Sequence, residues 1–481
     1  MGPSPTDQPV HPEPRAEPPA EPQAQPRAEP PAQPAGQPPA QVRAQPPSNQ
    51  LAPPQATPLA AALATALATT LAGAQHHQRL DHPVEPHQPA WKRELQRAIN
   101  ALPATRRRHL RSFDPAEAGM LQHSGHLGER PALLLDLASN DYLGLSRDPR
   151  VIAAATAELG RSGLGAGASR LVCGTRTVHH QLEDALAGWL GRERALLFPS
   201  GFQANIAAVC ALADRHSLVL ADRLIHHSLL VGVRASGAQL QRFRHNNLTE
   251  LEQRLAAARA QDPGRRLLVL SESLFSMEGT SPDVASLEAI SSRYGAALLL
   301  DEAHALGVLG RGGRGLGLGH SGIALISGTL GKSLGSGGAF VAGDATTMDW
   351  LLQHSGAFRY TTALAPALAA GALAALDVIE AQEANGNPSG ASLLQRAERW
   401  RAALAAAGWP RPPGNGPILA LLVGDDSRAL TLQHQLETAG LLAVAIRPPT
   451  VPEGSARLRL VVRADLPPGT LERLISALGK P

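Results

Sequence analysis

The sequence predicts an α/β protein, a largely parallel sheet covered by helices with a smaller α+β domain after it. Three observations carry this. Short apolar runs alternate with amphipathic stretches through the middle of the chain, polar residues follow nearly every such run, and the last third changes texture. The chain has 481 residues, 43% hydrophobic and 18% charged, enough for a large core and too apolar for a wholly disordered protein. Its two cysteines, Cys173 and Cys210, supply neither a disulfide framework nor a cysteine-rich zinc site, which points to a reducing cytoplasm. No apolar run reaches the roughly 18 residues that span a bilayer; the Ala/Leu stretch at 59–74 comes closest but is interrupted by three threonines, so no membrane role is expected.

Residues 1–90 come first and read as a disordered Pro/Ala-rich extension. Nineteen of the 41 prolines fall in the first 60 residues, in a loose repeat that buries almost nothing and favours extended polyproline structure. A short helix is expected somewhere in 59–90. The extension holds four basic and seven acidic residues, leaving 40 basic against 34 acidic on the body. That bias suits an anionic cofactor or substrate and is far too weak for nucleic acid.

The body divides into an N-terminal arm and helix (91–145), a large domain (146–345) and a small C-terminal domain (346–481). In the large domain the runs 194–198, 217–221, 266–271, 296–301, 323–327 and 338–343 read as buried strands, with helices at 203–213, 247–260 and 283–294 between them. The C-terminal part opens with an Ala-rich helix at 364–383 and ends with the strand-like ARLRLVVRA and a final amphipathic helix.

In an open α/β sheet the ligand lies beyond the carboxyl ends of the strands. Here Ser200-Gly201-Phe202 follows the first run and opens a helix, whose free N–H groups suit a phosphate. Asp222, His226 and His227 follow the second. Glu272, Ser273 and Ser276 follow the third. Asp301 ends the fourth with His304 three residues on, and Thr329-Leu330-Gly331-Lys332-Ser333 follows the fifth. Any one of these has a duller reading as a cap or a surface residue; the set at one sheet edge argues for a site.

Lysine usage sharpens the point. Only Lys92, Lys332 and Lys480 are lysine, against 41 arginines, and Lys332 alone lies mid-chain in a glycine-rich loop. Arginine replaces a positive charge but never a nucleophilic amine, so a lysine kept there points to amine chemistry. Two motifs are decoys. Asp301-Glu302-Ala303-His304 spells an ATPase box, yet the only GKS follows it and Ile326 stands where a phosphate loop needs glycine. The glycines at 163–167 lack the spacing of a dinucleotide fingerprint. A carboxylate, a loop lysine, a histidine and a phosphate-binding helix start are instead what pyridoxal phosphate requires.

The motifs SNDYLGLS (139–146), GAGASRLVCGT (165–175), FPSGFQAN (198–205), ADRLIHHSLL (221–230), SLFSMEG (273–279), DEAHALGVLG (301–310), TLGKSLGSGGAFVAG (329–343) and IRPPTVPEGSARLRL (446–460) span the body in order. With them the sequence resembles the α-oxoamine synthases, fold-type I pyridoxal-phosphate enzymes, and within these the branch that makes 8-amino-7-oxononanoate for biotin. The resemblance implies a decarboxylative condensation of L-alanine with pimeloyl-CoA or a pimeloyl carrier protein, releasing CO2 and thiol. The alternative is a glycine-using relative of the 2-amino-3-ketobutyrate CoA ligase or 5-aminolevulinate synthase type.

Residue by residue, the resemblance implies that Lys332 carries the Schiff base, Asp301 pairs with the ring nitrogen and His304 bonds the ring hydroxyl. His226 would stack on the ring and meet the substrate. Ser276 and Thr329 would help hold the cofactor, with Gly201 and Phe202 beside it through their backbones. Thr362 would reach the phosphate from a partner subunit, giving a homodimer with shared active sites. Thr450 and Arg459 would meet the substrate, Arg459 at the amino-acid carboxylate. An N-terminal substrate arginine is also implied; Arg111 fits, with Arg106, Arg107 and Arg108 as rivals. Ala305-Leu306, Ala168 and Cys173 depart from the commoner family residues without removing a catalytic group. The N-terminal extension has no counterpart in the family's core.

Overall fold

The computed structural model describes residues 89–117, 119–123 and 132–481. The expected extended tail and the short helix expected in 59–90 lie outside the described residues, apart from Pro89 and Ala90. Helix α1 (Ala90–Ala101) is exposed along its length. Three antiparallel strands follow, β1 (Phe113–Pro115), β2 (Met120–His123) and β3 (Ala132–Asp136). Two helices, α2 (Pro149–Ser162) and α3 (Thr177–Leu190), then lead into the main sheet.

All six expected strands form. They are β4 (Arg194–Phe198), β5 (Leu218–Asp222), β7 (Leu267–Glu272), β8 (Ala297–Asp301), β9 (Leu325–Thr329) and β10 (Ala339–Gly343). A seventh, β6 (Gln239–Phe243), escaped the sequence reading because QLQRF has little apolar character. It lies at the sheet's edge, where one flank meets water and polar residues are tolerated. The order is β4-β10-β9-β8-β7-β5-β6, and only β10 runs against its neighbours. Strands β5 and β7 are buried at every residue, as parallel strands covered on both faces must be.

Between them lie α4 (Gly201–Leu212), α5 (His227–Ser236), α6 (Leu248–Gln261) and α7 (Val284–Arg293). Side-chain caps fix their starts: Ser200 accepts from the Gln203 N–H at 3.3 Å, Asn247 from Glu250 at 2.9 Å and Asp283 from Ser286 at 3.1 Å. Beyond β10 come α8 (Ala345–His354), α9 (Gly356–Arg359), α10 (Pro366–Ala384) and α11 (Ser389–Ala406). A second sheet has the order β11-β14-β13, from β11 (Ile418–Gly424), β13 (Val444–Ile446) and β14 (Ala456–Val461). Helices α12 (Asp426–Thr438) and α13 (Thr470–Leu478) accompany it. The short β12 (Leu441–Leu442) joins β3 in parallel, tying the N-terminal arm to this part of the chain.

Among the described residues no helix is long and apolar enough to cross a membrane. The glycines at 310–319 are not a free loop. Buried Glu302 accepts from the N–H groups of Leu316 at 3.2 Å and Gly317 at 2.5 Å, and a Cβ on Gly315 would stand 2.5 Å from its Oε2.

Candidate active site

The strand ends deliver their polar residues to one place. Asp301 closes β8, Glu272 closes β7 and Thr329 closes β9, while His226 caps α5 and Gly201 opens α4. The connection from β9 back to β10 carries Lys332. This loop is held by Leu330 N–H donating to the Gly338 carbonyl at 2.9 Å and Ser336 N–H to Leu330 at 2.9 Å. Gly335, with φ +61°, lies so close to the Leu145–Ser146 backbone that any side chain would collide with it. The lysine loop is thus seated on the SNDYLGLS segment.

These elements enclose a cavity of about 210 Å³. Gly201, Phe202, His226, Asp301, His304, Thr329 and Lys332 all line it. So do Glu272, one of the strand-end polar residues, and Asn205, Ala303, Ser327 and Gly328, to which the sequence reading gave no role. Asn205 was inside the quoted FPSGFQAN motif, and a helix residue one turn past a phosphate-binding start was the signal available.

Asp301 is held on both oxygens. Its Oδ2 accepts from Asn205 Nδ2 at 2.7 Å and its Oδ1 from the Ala303 N–H at 2.9 Å. Burial lowers the pKa of Lys332 to about 8, against the upward pull of Asp301 and Glu272. Glu272 is buried, and desolvation with the Asp301 charge raises its pKa well above the ordinary range. His304 is buried with Nδ1 2.5 Å from the Tyr142 hydroxyl; desolvation and the nearby cations hold its pKa well below the usual value. Tyr142, fully buried, is pushed up to about 12 by desolvation. It therefore stays a protonated hydroxyl beside a neutral His304, with Asn140 Oδ1 as its second acceptor at 3.4 Å. His226 stands at the cavity mouth, where desolvation by the wall lowers its pKa.

The residues fit pyridoxal phosphate. A half-buried lysine, an oriented carboxylate and an α-helix start converge on one cavity, and the first-turn N–H groups of Gly201 and Phe202 have no intrahelical partners. Two lining atoms, Asn205 Oδ1 and Ser327 Oγ, are buried without partners among the described residues, so the cavity wall holds unspent polar capacity.

The remaining candidates lie outside that lining. Arg459, on β14, is buried and donates through Nε to the Ser276 carbonyl at 2.7 Å and through Nη2 to Asn140 Oδ1 at 2.8 Å. Ser276 meets the site through its backbone, by way of Arg459. Thr362 is exposed, bridged to Ser169, while its neighbour Thr361 accepts from Gln203 at 3.3 Å. Arg111 is engaged with Glu437 at 2.7 Å and lies over the Phe113 ring. Arg106 pairs with Asp426 and Glu453. Of the rivals it is Arg108 that reaches Thr450, donating to its hydroxyl at 3.2 Å. Arg107, Arg108, Arg111 and Arg447 line a second cavity of about 650 Å³, whose apolar wall includes Phe113, Leu430, Leu442, Val444 and Ile446. Among the described residues no cluster of three or more His, Cys, Asp or Glu is arranged to hold a metal.

The sequence model of the aminotransferase class I and II family matches residues 133–478. The 8-amino-7-oxononanoate synthase of Gluconacetobacter diazotrophicus is 46% identical over 354 residues, covering 72% of this chain and 87% of the relative. Among solved structures, Sphingomonas wittichii serine palmitoyltransferase superposes with a TM-score of 0.71 at 27% identity, covering 81% of this chain and 94% of that one. A Francisella tularensis 8-amino-7-oxononanoate synthase gives 0.61 at 27% identity, covering 72% and 96%. The lysine loop, the paired strand ends and the extent of this match agree, and the chain belongs to the 8-amino-7-oxononanoate synthase family of acyl-transferring, pyridoxal-phosphate-dependent α-oxoamine synthases.

Proposed function

We propose that the chain condenses L-alanine with a pimeloyl thioester, on coenzyme A or a carrier protein, releasing CO2 and free thiol and forming 8-amino-7-oxononanoate for biotin. The observation that carries the choice of acyl group is the second cavity. Its apolar wall suits a chain of methylenes, and its arginines suit a carboxylate at the far end, which an acetyl group lacks. Ser139 lines it one residue from Asn140, the side chain that Arg459 holds.

When bound, pyridoxal phosphate supplies an electron-withdrawing ring that stabilises negative charge on the amino acid's α-carbon. Asp301, fixed by Asn205 and the Ala303 N–H, would keep the ring nitrogen protonated. Lys332 would hold the cofactor and, once free, remove the α-proton; a pKa of about 8 leaves part of the amine uncharged near neutrality. Arg459 spends Nε and Nη2 on Ser276 and Asn140, leaving Nη1 for the amino-acid carboxylate. Helix α4 would receive the phosphate, and the buried walls around Lys332 would exclude water.

We also propose that the enzyme works as a homodimer. Thr362 is exposed and outside its own cavity, and Leu164, Val172 and Tyr360 are 85%, 78% and 78% exposed, an apolar surface suited to a second copy. A substrate panel tests the reaction: alanine, serine and glycine, each with pimeloyl-, succinyl- and palmitoyl-CoA, read by product mass and CO2 release. The alanine–pimeloyl pair should lead; a preference for glycine or for another acyl group overturns the assignment.

A further inference from the structure

His226 is joined to Asp301 by a chain of hydrogen bonds whose directions are all determined. Asn205 places one amide atom 2.7 Å from Asp301 Oδ2 and the same atom 2.9 Å from Ser228 Oγ. A carboxylate only accepts, so this atom is the amide nitrogen and it donates to both. Ser228 Oγ thereby accepts one bond and lies 2.6 Å from His226 Nδ1. The backbone N–H of Ser228 also points at Nδ1, at 3.3 Å, because His226 caps α5. An N–H donor aimed at Nδ1 leaves no room for a proton there, so the Ser228 hydroxyl donates too. With Nδ1 an acceptor, a neutral imidazole carries its proton on Nε2. Among the described residues Nε2 has no hydrogen-bond partner, and the exposed ring lines the cavity.

We propose that Ser228, oriented by Asn205, is a positioning residue that fixes His226 as its Nε2–H tautomer, so that His226 donates a hydrogen bond to an anionic oxygen of the substrate and does not accept the α-proton. This rests on the reading of His226 as a substrate-facing residue. It agrees with the base role given to Lys332 above, since the one His226 nitrogen outside the Ser228 contacts already bears its proton. The groups around the imidazole agree with a neutral ring. Lys332 and His227 oppose a positive charge on it, Asp301 favours one, and Glu272 is occupied in accepting the His226 backbone N–H at 2.6 Å. Charging the ring at Nδ1 would also place two protons against the α5 cap. Ser228 and Asn205 are buried, so water does not substitute for either hydroxyl or amide.

The test is nitrogen NMR on full-length protein labelled in the histidine ring nitrogens, with no substrate added. The His226 signals are identified as those missing from His226→Gln. The expected wild-type spectrum shows one bare nitrogen at Nδ1 and one protonated nitrogen at Nε2. In Ser228→Ala a population protonated at Nδ1 should appear, and kcat/KM should fall about tenfold with the loss mainly in kcat. A wild-type spectrum with the proton on Nδ1 overturns the proposal outright, and it needs no variant that folds. An unchanged tautomer in Ser228→Ala removes Ser228 from the role, and a shifted tautomer with unchanged kcat removes the role from the reaction. The spectrum does not depend on which substrates are turned over, so failure of the condensation assay leaves this result standing.

Discussion

Glu272 and Asp301 are register partners at the carboxyl ends of β7 and β8, and both line the cavity that Lys332 also lines. Burial, and after it the Asp301 charge on the adjacent strand, raises the Glu272 pKa, while its Oε1 accepts the His226 N–H at 2.6 Å. A carboxyl group pushed toward its neutral form is close in shape to an amide. Glu272→Gln should therefore keep cofactor binding and stay within about threefold of wild-type kcat/KM. Glu272→Leu strands the His226 N–H and should cost about 1–3 kcal/mol in urea unfolding. If Glu272→Gln drops activity a hundredfold, the carboxyl group is acting as a charge.

Lys332 loses its proton with a midpoint near pH 8, because burial opposes the ammonium more than Asp301 and Glu272 support it. The free amine is the nucleophile, so its fraction grows as pH rises. The rate at which cofactor-free enzyme captures pyridoxal phosphate should climb almost tenfold per pH unit below about 8 and level off above it. Stopped-flow absorbance measures this directly. A midpoint above 10 would mean the lysine is solvated. Lys332→Arg should fold normally, show no visible band from lysine-bound cofactor, and lose activity by at least about a thousandfold.

The Tyr142 hydroxyl lies 2.5 Å from His304 Nδ1, and donation along this bond leaves the His304 proton on the other ring nitrogen. Tyr142→Phe removes the donor and buries Nδ1 unpaired. The expected result is a stability loss of about 1–3 kcal/mol and about tenfold weaker cofactor binding by fluorescence titration. The same stability loss with unchanged cofactor binding would show that the hydroxyl serves packing rather than the tautomer.

Glu302 ties the glycine loop to the sheet, and burial raises its pKa to about 7 despite the two backbone N–H bonds that lower it. The folded state thus holds a proton that the unfolded carboxyl releases near 4.5. Stability through this group falls as pH rises from about 4.5 to about 7 and is flat beyond, for a total of about 3 kcal/mol. Urea unfolding at pH 5 and pH 8 should show wild type losing more stability than Glu302→Gln over that interval. Parallel losses in the two proteins would place the titration elsewhere.

Much of this was legible in sequence because β5, β7 and β8 are apolar runs ended by polar residues, and a parallel sheet sends those ends to one edge. The isolated Lys332 and the helix start at Gly201 were legible for the same local reason. What stayed hidden depends on distance in the chain. Asn205 matters because it lies between Asp301, 96 residues away, and Ser228, and no periodicity marks such a bridge. The polar edge strand β6 broke the apolar rule that found its neighbours. Arg108 could not be separated from Arg106 and Arg111 until the acids Glu453 and Glu437 were seen to occupy the other two.

That separation yields a specificity test. Arg108 spends one bond, at 3.2 Å, on the neutral Thr450 hydroxyl, whereas the Arg111 guanidinium is neutralised by Glu437 at 2.7 Å. The arginine without a carboxylate partner retains more of its charge for an incoming one. Arg108→Met should raise KM for pimeloyl-CoA about tenfold, the loss of one charge-assisted hydrogen bond or about 1.4 kcal/mol, with kcat little changed. Heptanoyl-CoA has the same chain length and no terminal carboxylate, so its KM should not move. Arg111→Met should have the smaller effect on either substrate. If both thioesters weaken together in Arg108→Met, the residue is binding the coenzyme portion, and the cavity is not the seat of the acyl carboxylate.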